Sequence, residues 1–192
     1  MLDLRIQQHF IDSADLQYQA AEPLAKPVEA GVQALMACVT SGGKVLVAGW
    51  GGTAASAPYF ASLFVGGFER ERPELAALAL TAEGAALADE QVLARQVRAL
   101  GHMGDVLMVL TATGAESVLQ QAVHAAHERD MTVMALTGKG GGAVAKLLRE
   151  TDVHVCVPHD RAARIREVQQ LVLHCLCDGV DAQLLGEQEL SE

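Results

Sequence analysis

Between Lys44 and Ala57 the chain reads Lys-Val-Leu-Val-Ala-Gly-Trp-Gly-Gly-Thr-Ala-Ala-Ser-Ala. Four apolar residues, Val45 to Ala48, run into Gly49, Gly51 and Gly52, and Thr53 then opens a stretch of small residues. This order predicts a buried strand, a glycine turn and a helix N-terminus. Glycines permit positive φ and close approach of a ligand to the backbone. A helix start presents unpaired N–H groups and the positive end of a dipole, which suits an anion. The stretch therefore predicts an α/β protein with an anion-binding turn at the carboxyl end of a strand.

Outward from this stretch, strands and helices alternate. Strands are expected at 44–48, 75–80, 106–110, 132–136 and 153–157. Helices are expected at 53–66, 89–100, 116–129, 142–148 and 162–185. The strands are nearly continuous apolar runs, as in a parallel sheet covered on both faces. Alternation implies right-handed βαβ units. The fold class is thus α/β, a five-stranded parallel sheet with helices on both faces. Two helices, 4–21 and 28–39, are expected ahead of it, parted by Pro23 and Pro27. Val28, Val32, Leu35, Met36 and Val39 recur at helical spacing. Neither helix buries its face alone, so residues 1–40 are expected to pack on the sheet or on another subunit. A chain of 192 residues fits a single domain, 1–192.

Composition narrows the function. A formal net charge of −10 argues against a large footprint on a nucleic-acid backbone. Aromatics at 4% offer no stacking platform for bases. No apolar run is long enough to span a bilayer, and the first residues contain no apolar signal core. A cytoplasmic protein is expected, with no membrane partner. Cys38, Cys156, Cys175 and Cys177 lack metal-ligand spacing and read as buried free thiols. No metal site and no cofactor are expected.

Three strand ends carry unusual turns: 49–53 (GWGGT), 111–117 (TATGAES) and 137–142 (TGKGGG). The first two place glycine and hydroxyls just before a helix. Converging, they would cradle a phosphate with Gly51, Gly52, Thr53, Thr111, Thr113 and Ser117. The plain alternative is an ordinary strand-to-helix turn, which needs glycine and a cap in any case. Gly49, Gly51 and Ala54 also fit a dinucleotide pattern. That pattern needs an acidic residue near the end of the second strand, and Glu83 comes too late. The segment 42–44 (GGK) precedes its strand and is not a P-loop. His124 and His127 read as a solvated helix face. His174, in the last helix, reads as a hydrogen-bonded core residue or as a base.

The lead of two helices, five strands and hydroxyl-rich turns resembles the sugar isomerase (SIS) domain family, and within it the phosphoheptose isomerase group. The most specific stretches are 94–108 (ARQVRALGHMGDVLM), 129–138 (RDMTVMALTG), 163–167 (ARIRE) and 174–178 (HCLCD). The first and last look most like the DiaA branch, whose members associate with the replication initiator DnaA. The resemblance implies a flavodoxin-like three-layer sandwich, a homotetramer and a sugar-phosphate site near subunit contacts. Isomerases of the group place a glutamate at the position of Leu63, a metal-associated histidine at Tyr59, a glutamine at Arg166 and the catalytic histidine at His174. Trp50 stands where they carry asparagine. Glu116 stands where they carry the last phosphate-binding serine. The loop 81–90 is shorter than theirs.

A carboxylate at ~4 Å, with an effective dielectric of ~20, repels each unit of phosphate charge by about 4 kcal/mol. The penalty falls away if Glu116 points outward and Ser117 substitutes. With the acid/base partner, the metal surroundings, a loop and a phosphate ligand all altered, the expected function is non-catalytic. It is a DiaA-like scaffold binding DnaA and regulating initiation of chromosome replication, with a relict or ligand-sensing sugar-phosphate cleft. Leu185 replaces an aromatic residue of that branch. The alternative is a phosphoheptose isomerase acting on sedoheptulose 7-phosphate, or a sugar-phosphate sensor.

Overall fold

The computed structural model describes residues 1–81 and 89–186. Glu83 and most of the loop 81–90 lie outside the described residues. The elements run α1 (Leu2–Thr40), β1 (Val45–Gly49), α2 (Ser56–Gly66), β2 (Ala77–Leu80), α3 (Val92–Leu100), β3 (Val106–Leu110), α4 (Ser117–Glu128), β4 (Thr132–Gly138), α5 (Gly142–Leu147), β5 (Val153–Val157) and α6 (Ala162–Leu185). Among the described residues the five strands form one parallel sheet in the order β2-β1-β3-β4-β5. The expected fold class is what the structure has.

Side chains of each strand alternate between two cores, as a period of two requires. Val45 and Val47 of β1 join Leu35, Phe60, Phe64 and Leu176 on the face covered by α1, α2 and α6. Leu46 and Ala48 join Leu93, Val97, Leu119 and Val123 on the face covered by α3 and α4. The result is a three-layer sandwich. Strand order reverses between β1 and β3, where ligands of open α/β sheets bind beyond the strand carboxyl ends. Gly49 pairs with Leu110 in register, so the turns after β1 and β3 lie side by side.

The N-terminal segment differs from expectation. It is one helix of 39 residues rather than two, with Pro23 and Pro27 inside it. Each interior proline removes a hydrogen bond and costs about 3 kcal/mol. The stripe Leu16, Ala20, Leu24, Val32, Leu35 and Cys38 passes both prolines and is buried throughout. Burying such side chains contributes about 1.5–3 kcal/mol each, which outweighs the two breaks. Close contact with α6 supports the long helix: Leu176 lies against Gly31, and Val32 against Gly179, where added Cβ atoms would collide. The helix expected from Thr53 also starts later. Residues Gly51–Thr53 form a single 3-10 turn, and α2 begins at Ser56. Of the four thiols, Cys38 and Cys177 are buried as expected, whereas Cys156 is half-buried and Cys175 is exposed.

Asp105 anchors the start of β1 to that of β3. Its Oδ1 accepts from the Lys44 amide at 2.9 Å, and its Oδ2 from Lys44 Nζ at 2.5 Å and the His102 amide at 2.9 Å. Burial alone would raise this carboxyl; the Lys44 ammonium and the two amides outweigh burial and hold it below the usual carboxylate range. The charged form is therefore favoured by folding. Its contribution is present above the ordinary aspartate pKa and is lost as pH falls through the lowered value. Asp105→Ala should cost about 1–3 kcal/mol at pH 7 by leaving amides unpaired. Urea unfolding at pH 7 and pH 3 should show this difference shrinking at the lower pH.

Candidate functional site

The first turn is held shut by its own threonine. Thr53 is buried, and its hydroxyl donates to the Leu110 carbonyl at 2.6 Å while accepting from the Trp50 amide at 3.3 Å. This ties the end of β1 to the end of β3 and takes the hydroxyl proton inward. Gly51, with φ of +57°, and Gly52 carry the turn's backbone. A Cβ on Gly52 would collide with the guanidinium of Arg166, so a cation from α6 lies against this turn. A cleft of about 870 Å³ opens beside it, lined by Trp50, Ala54, Pro58 and Leu80.

The second turn is folded around Thr111. Its hydroxyl accepts from the amides of Thr113 at 3.0 Å and Gly114 at 2.8 Å. Both threonine hydroxyls point at one carboxylate: Thr111 Oγ1 donates to Glu116 Oε2 at 2.6 Å, and Thr113 Oγ1 to Glu116 Oε1 at 2.8 Å. Glu116 is the N-cap residue of α4, yet its side chain reaches back into the turn rather than outward. Ser117 opens α4 and takes no part in this network. Gln169 of α6 donates to the Thr111 carbonyl at 2.7 Å. The third turn closes against the second. Gly114, at φ +68°, has the Gly141 carbonyl where a Cβ would stand, so only glycine fits there. Below it, His154 Nε2 meets Thr137 Oγ1 at 2.8 Å, and burial pushes this imidazole below its ordinary pKa.

His174 is half-buried on α6 rather than a core residue. Its Nε2 lies 2.8 Å from the Tyr59 hydroxyl of α2, and Phe68 stacks on its ring with centroids 5.1 Å apart. Arg166, Gln170 and His174 recur at helical spacing and share one face of α6. That face meets α2 and the first turn through Tyr59 and Gly52. The structure thus places Gly51, Gly52, Thr53, Thr111 and Thr113 around the β1–β3 crevice, with His174 on a neighbouring helix face. Tyr59 beside His174, Arg166 on Gly52 and Gln169 on Thr111 were not foreseen as contacts. The resemblance puts positions 59, 166 and 174 at one site, and 166 and 174 share a helical stripe, but nothing in the sequence points to Gln169.

A metal does not fit here. Of Tyr59, Leu63, Arg166 and His174, only His174 is a usual ligand. Among the described residues no three His, Cys, Asp or Glu side chains come together as a metal site. His124 and His127 do not share one solvated face, because His127 is buried and pairs with Asp152 at 2.8 Å. Among the described residues no helix is long and apolar enough to cross a membrane.

Residues 8–138 match the SIS domain family. A protein named phosphoheptose isomerase from Methylibium petroleiphilum is 57% identical over 198 residues, covering 100% of this chain and 99% of its own. One of the same name from Dechloromonas aromatica is 46% identical over 189 residues, covering 95% and 96%. The solved structure of phosphoheptose isomerase GmhA from Neisseria gonorrhoeae superposes with a TM-score of 0.88 at 40% identity, covering 95% of this chain and 100% of that one. A phosphoheptose isomerase from Francisella tularensis gives a TM-score of 0.89 at 36% identity, over 94% and 98%. These relatives overturn the expected DiaA-like, DnaA-binding scaffold. That expectation rested on short stretches such as 174–178 and on altered site positions, whereas the full-length relatives bear the isomerase name.

Proposed function

Because the chain belongs to the SIS domain family, and within it to the phosphoheptose isomerase group, we propose that it is an aldose–ketose isomerase of a phosphorylated heptose. The carrying observation is the 57% identity, end to end, with a relative named phosphoheptose isomerase. The reaction moves a proton between C1 and C2 of the sugar through an enediol. It needs one group that takes a proton and one that gives it, both within hydrogen-bond reach of the reacting carbons and their oxygens.

Tyr59 and His174, 2.8 Å apart, form such a pair. With the imidazole proton on Nδ1, the free Nε2 can take a carbon-bound proton while the neighbouring phenol gives its own proton to a substrate oxygen. Leu63 carries no proton-transfer group, so Tyr59 takes the place of the missing glutamate. Phe68, stacked on the imidazole, fixes the ring's plane. Arg166, lying on Gly52, supplies positive charge at the first turn for an anionic ligand. Purified protein given sedoheptulose 7-phosphate should produce the aldose form, detected by coupled consumption of the product. A lack of turnover above the uncatalysed rate would overturn the proposal.

The assembly proposed with this activity is a homotetramer. Leu4, Ile6, Phe10 and Ile11 project from the first turns of α1 and are at least half exposed. A run of exposed apolar side chains of this kind marks a surface that associates. Light scattering should give four times the 20.2 kDa chain mass. A monomer at micromolar concentration would contradict it, and Phe10→Glu should shift the wild-type assembly toward smaller species.

A further inference from the structure

The hydroxyl groups of the second turn are already satisfied by an anion belonging to the chain. Thr111 Oγ1 accepts from two amides and gives its single proton to Glu116 Oε2 at 2.6 Å. Thr113 Oγ1 accepts from the Ala115 amide at 3.2 Å and gives its proton to Glu116 Oε1 at 2.8 Å. Each carboxylate oxygen therefore takes one hydroxyl. The ionised oxygens of a phosphate group are acceptors, so they compete for the same two protons.

We propose that Glu116 is a built-in occupant of the phosphate subsite, and that a phosphorylated ligand binds the second turn only by displacing its carboxylate from Thr111 and Thr113. This rests on the phosphosugar reading above. Three features make the carboxylate displaceable rather than part of the frame. Glu116 is only half-buried. Its backbone is extended at φ −70° and ψ 117°, outside the helix proper, so the side chain can rotate away without disturbing α4. The frame of the turn survives its departure, because Gln169 and the amides of Thr113 and Gly114 hold Thr111 independently.

The consequence is selectivity. A ligand's affinity is reduced by the fraction of molecules in which the subsite is free. Inorganic phosphate contacts the turn alone and cannot recover that loss. A sugar phosphate is held at its other end as well, by the groups around Tyr59 and His174, so it can displace the carboxylate. Glu116 thus excludes free phosphate while admitting the phosphorylated sugar.

The test is calorimetric titration of wild-type protein, Glu116→Ser and Glu116→Gln with sedoheptulose 7-phosphate and with inorganic phosphate. Serine is a favourable N-cap, so α4 keeps its start. Glu116→Gln keeps the size and removes the charge, which separates repulsion from occupancy. Glu116→Ser should bind sedoheptulose 7-phosphate at least about tenfold more tightly than wild type. It should also bind inorganic phosphate, whereas wild type should not. Glu116→Gln should fall between the two. Wild-type binding of sedoheptulose 7-phosphate that is unchanged or weakened in Glu116→Ser would overturn the occupant role and leave the phosphosugar reading standing. Failure of all three folded proteins to bind it would overturn the phosphosugar reading, and this inference with it.

Discussion

His174→Ala should lower kcat for sedoheptulose 7-phosphate by roughly 10²- to 10⁴-fold, the usual contribution of a positioned acid or base. Tyr59→Phe should fall in the same range, because it removes the hydroxyl 2.8 Å from His174 Nε2 and leaves the ring in place. If the two act as a unit, the double variant should be little worse than either single one. KM should change less than kcat, since neither group is placed at the second turn, where the phosphate is proposed to sit. Circular dichroism should be unaltered: His174 is half-buried, and its loss opens no core cavity. Full turnover by His174→Ala would remove the pair from the chemistry and require a different acid and base.

Asp181→Ala should destabilise the fold by about 3–5 kcal/mol, as expected when one member of a buried ion pair is removed. Arg72 and Asp181 have side chains 0% and 2% exposed and meet at 2.5 Å between Nε and Oδ1. The guanidinium also donates to the carbonyls of Pro73 and Leu63 and lies 5.7 Å from the Phe64 ring centroid. Without Asp181 it remains buried and uncompensated. Nearby Cys177 reports the same surroundings: burial, and then the Asp181 charge, push its thiol up to about 12. This pair fastens the segment between α2 and β2 to α6, so its loss should loosen that segment first. Replacing both partners, as in Arg72→Met with Asp181→Leu, should cost much less than Asp181→Ala, because no charge is stranded. Urea midpoints measure both. A change below about 1 kcal/mol for Asp181→Ala would show that water reaches the guanidinium.

The sheet was legible because β1, β3 and β4 are apolar runs bounded by glycine or polar residues, and that pattern survives any tertiary context. The position of the crevice came only from the strand order of the structure, which sets the turns after Gly49 and Leu110 side by side. The sequence predicts two helices where the structure has one, because the local penalty at Pro23 and Pro27 is visible in sequence while the opposing burial of Leu16 to Cys38 against the sheet and α6 is not. The isomerase reading comes from full-length relatives that bear that name. The sequence points the other way because Leu63, Tyr59, Arg166, Glu116 and the short loop 81–90 depart together from the family pattern. The resemblance puts Tyr59 and His174 at one site, but only the structure shows that their side chains meet, across 115 residues of chain.

By itself, then, the sequence determined the α/β class, the strand-to-helix turns and the residue types available at each, all of which follow from local pattern and backbone chemistry. Only the tertiary structure decided what those residues do to one another. Thr53 turns inward because β3 supplies the Leu110 carbonyl. Arg166 reaches the first turn because α6 crosses Gly52. Glu116 faces the threonines because the Thr111 turn folds its hydroxyls toward the start of α4. Hydrogen bonds depend on distance and direction within fractions of an ångström, and one-dimensional spacing carries neither.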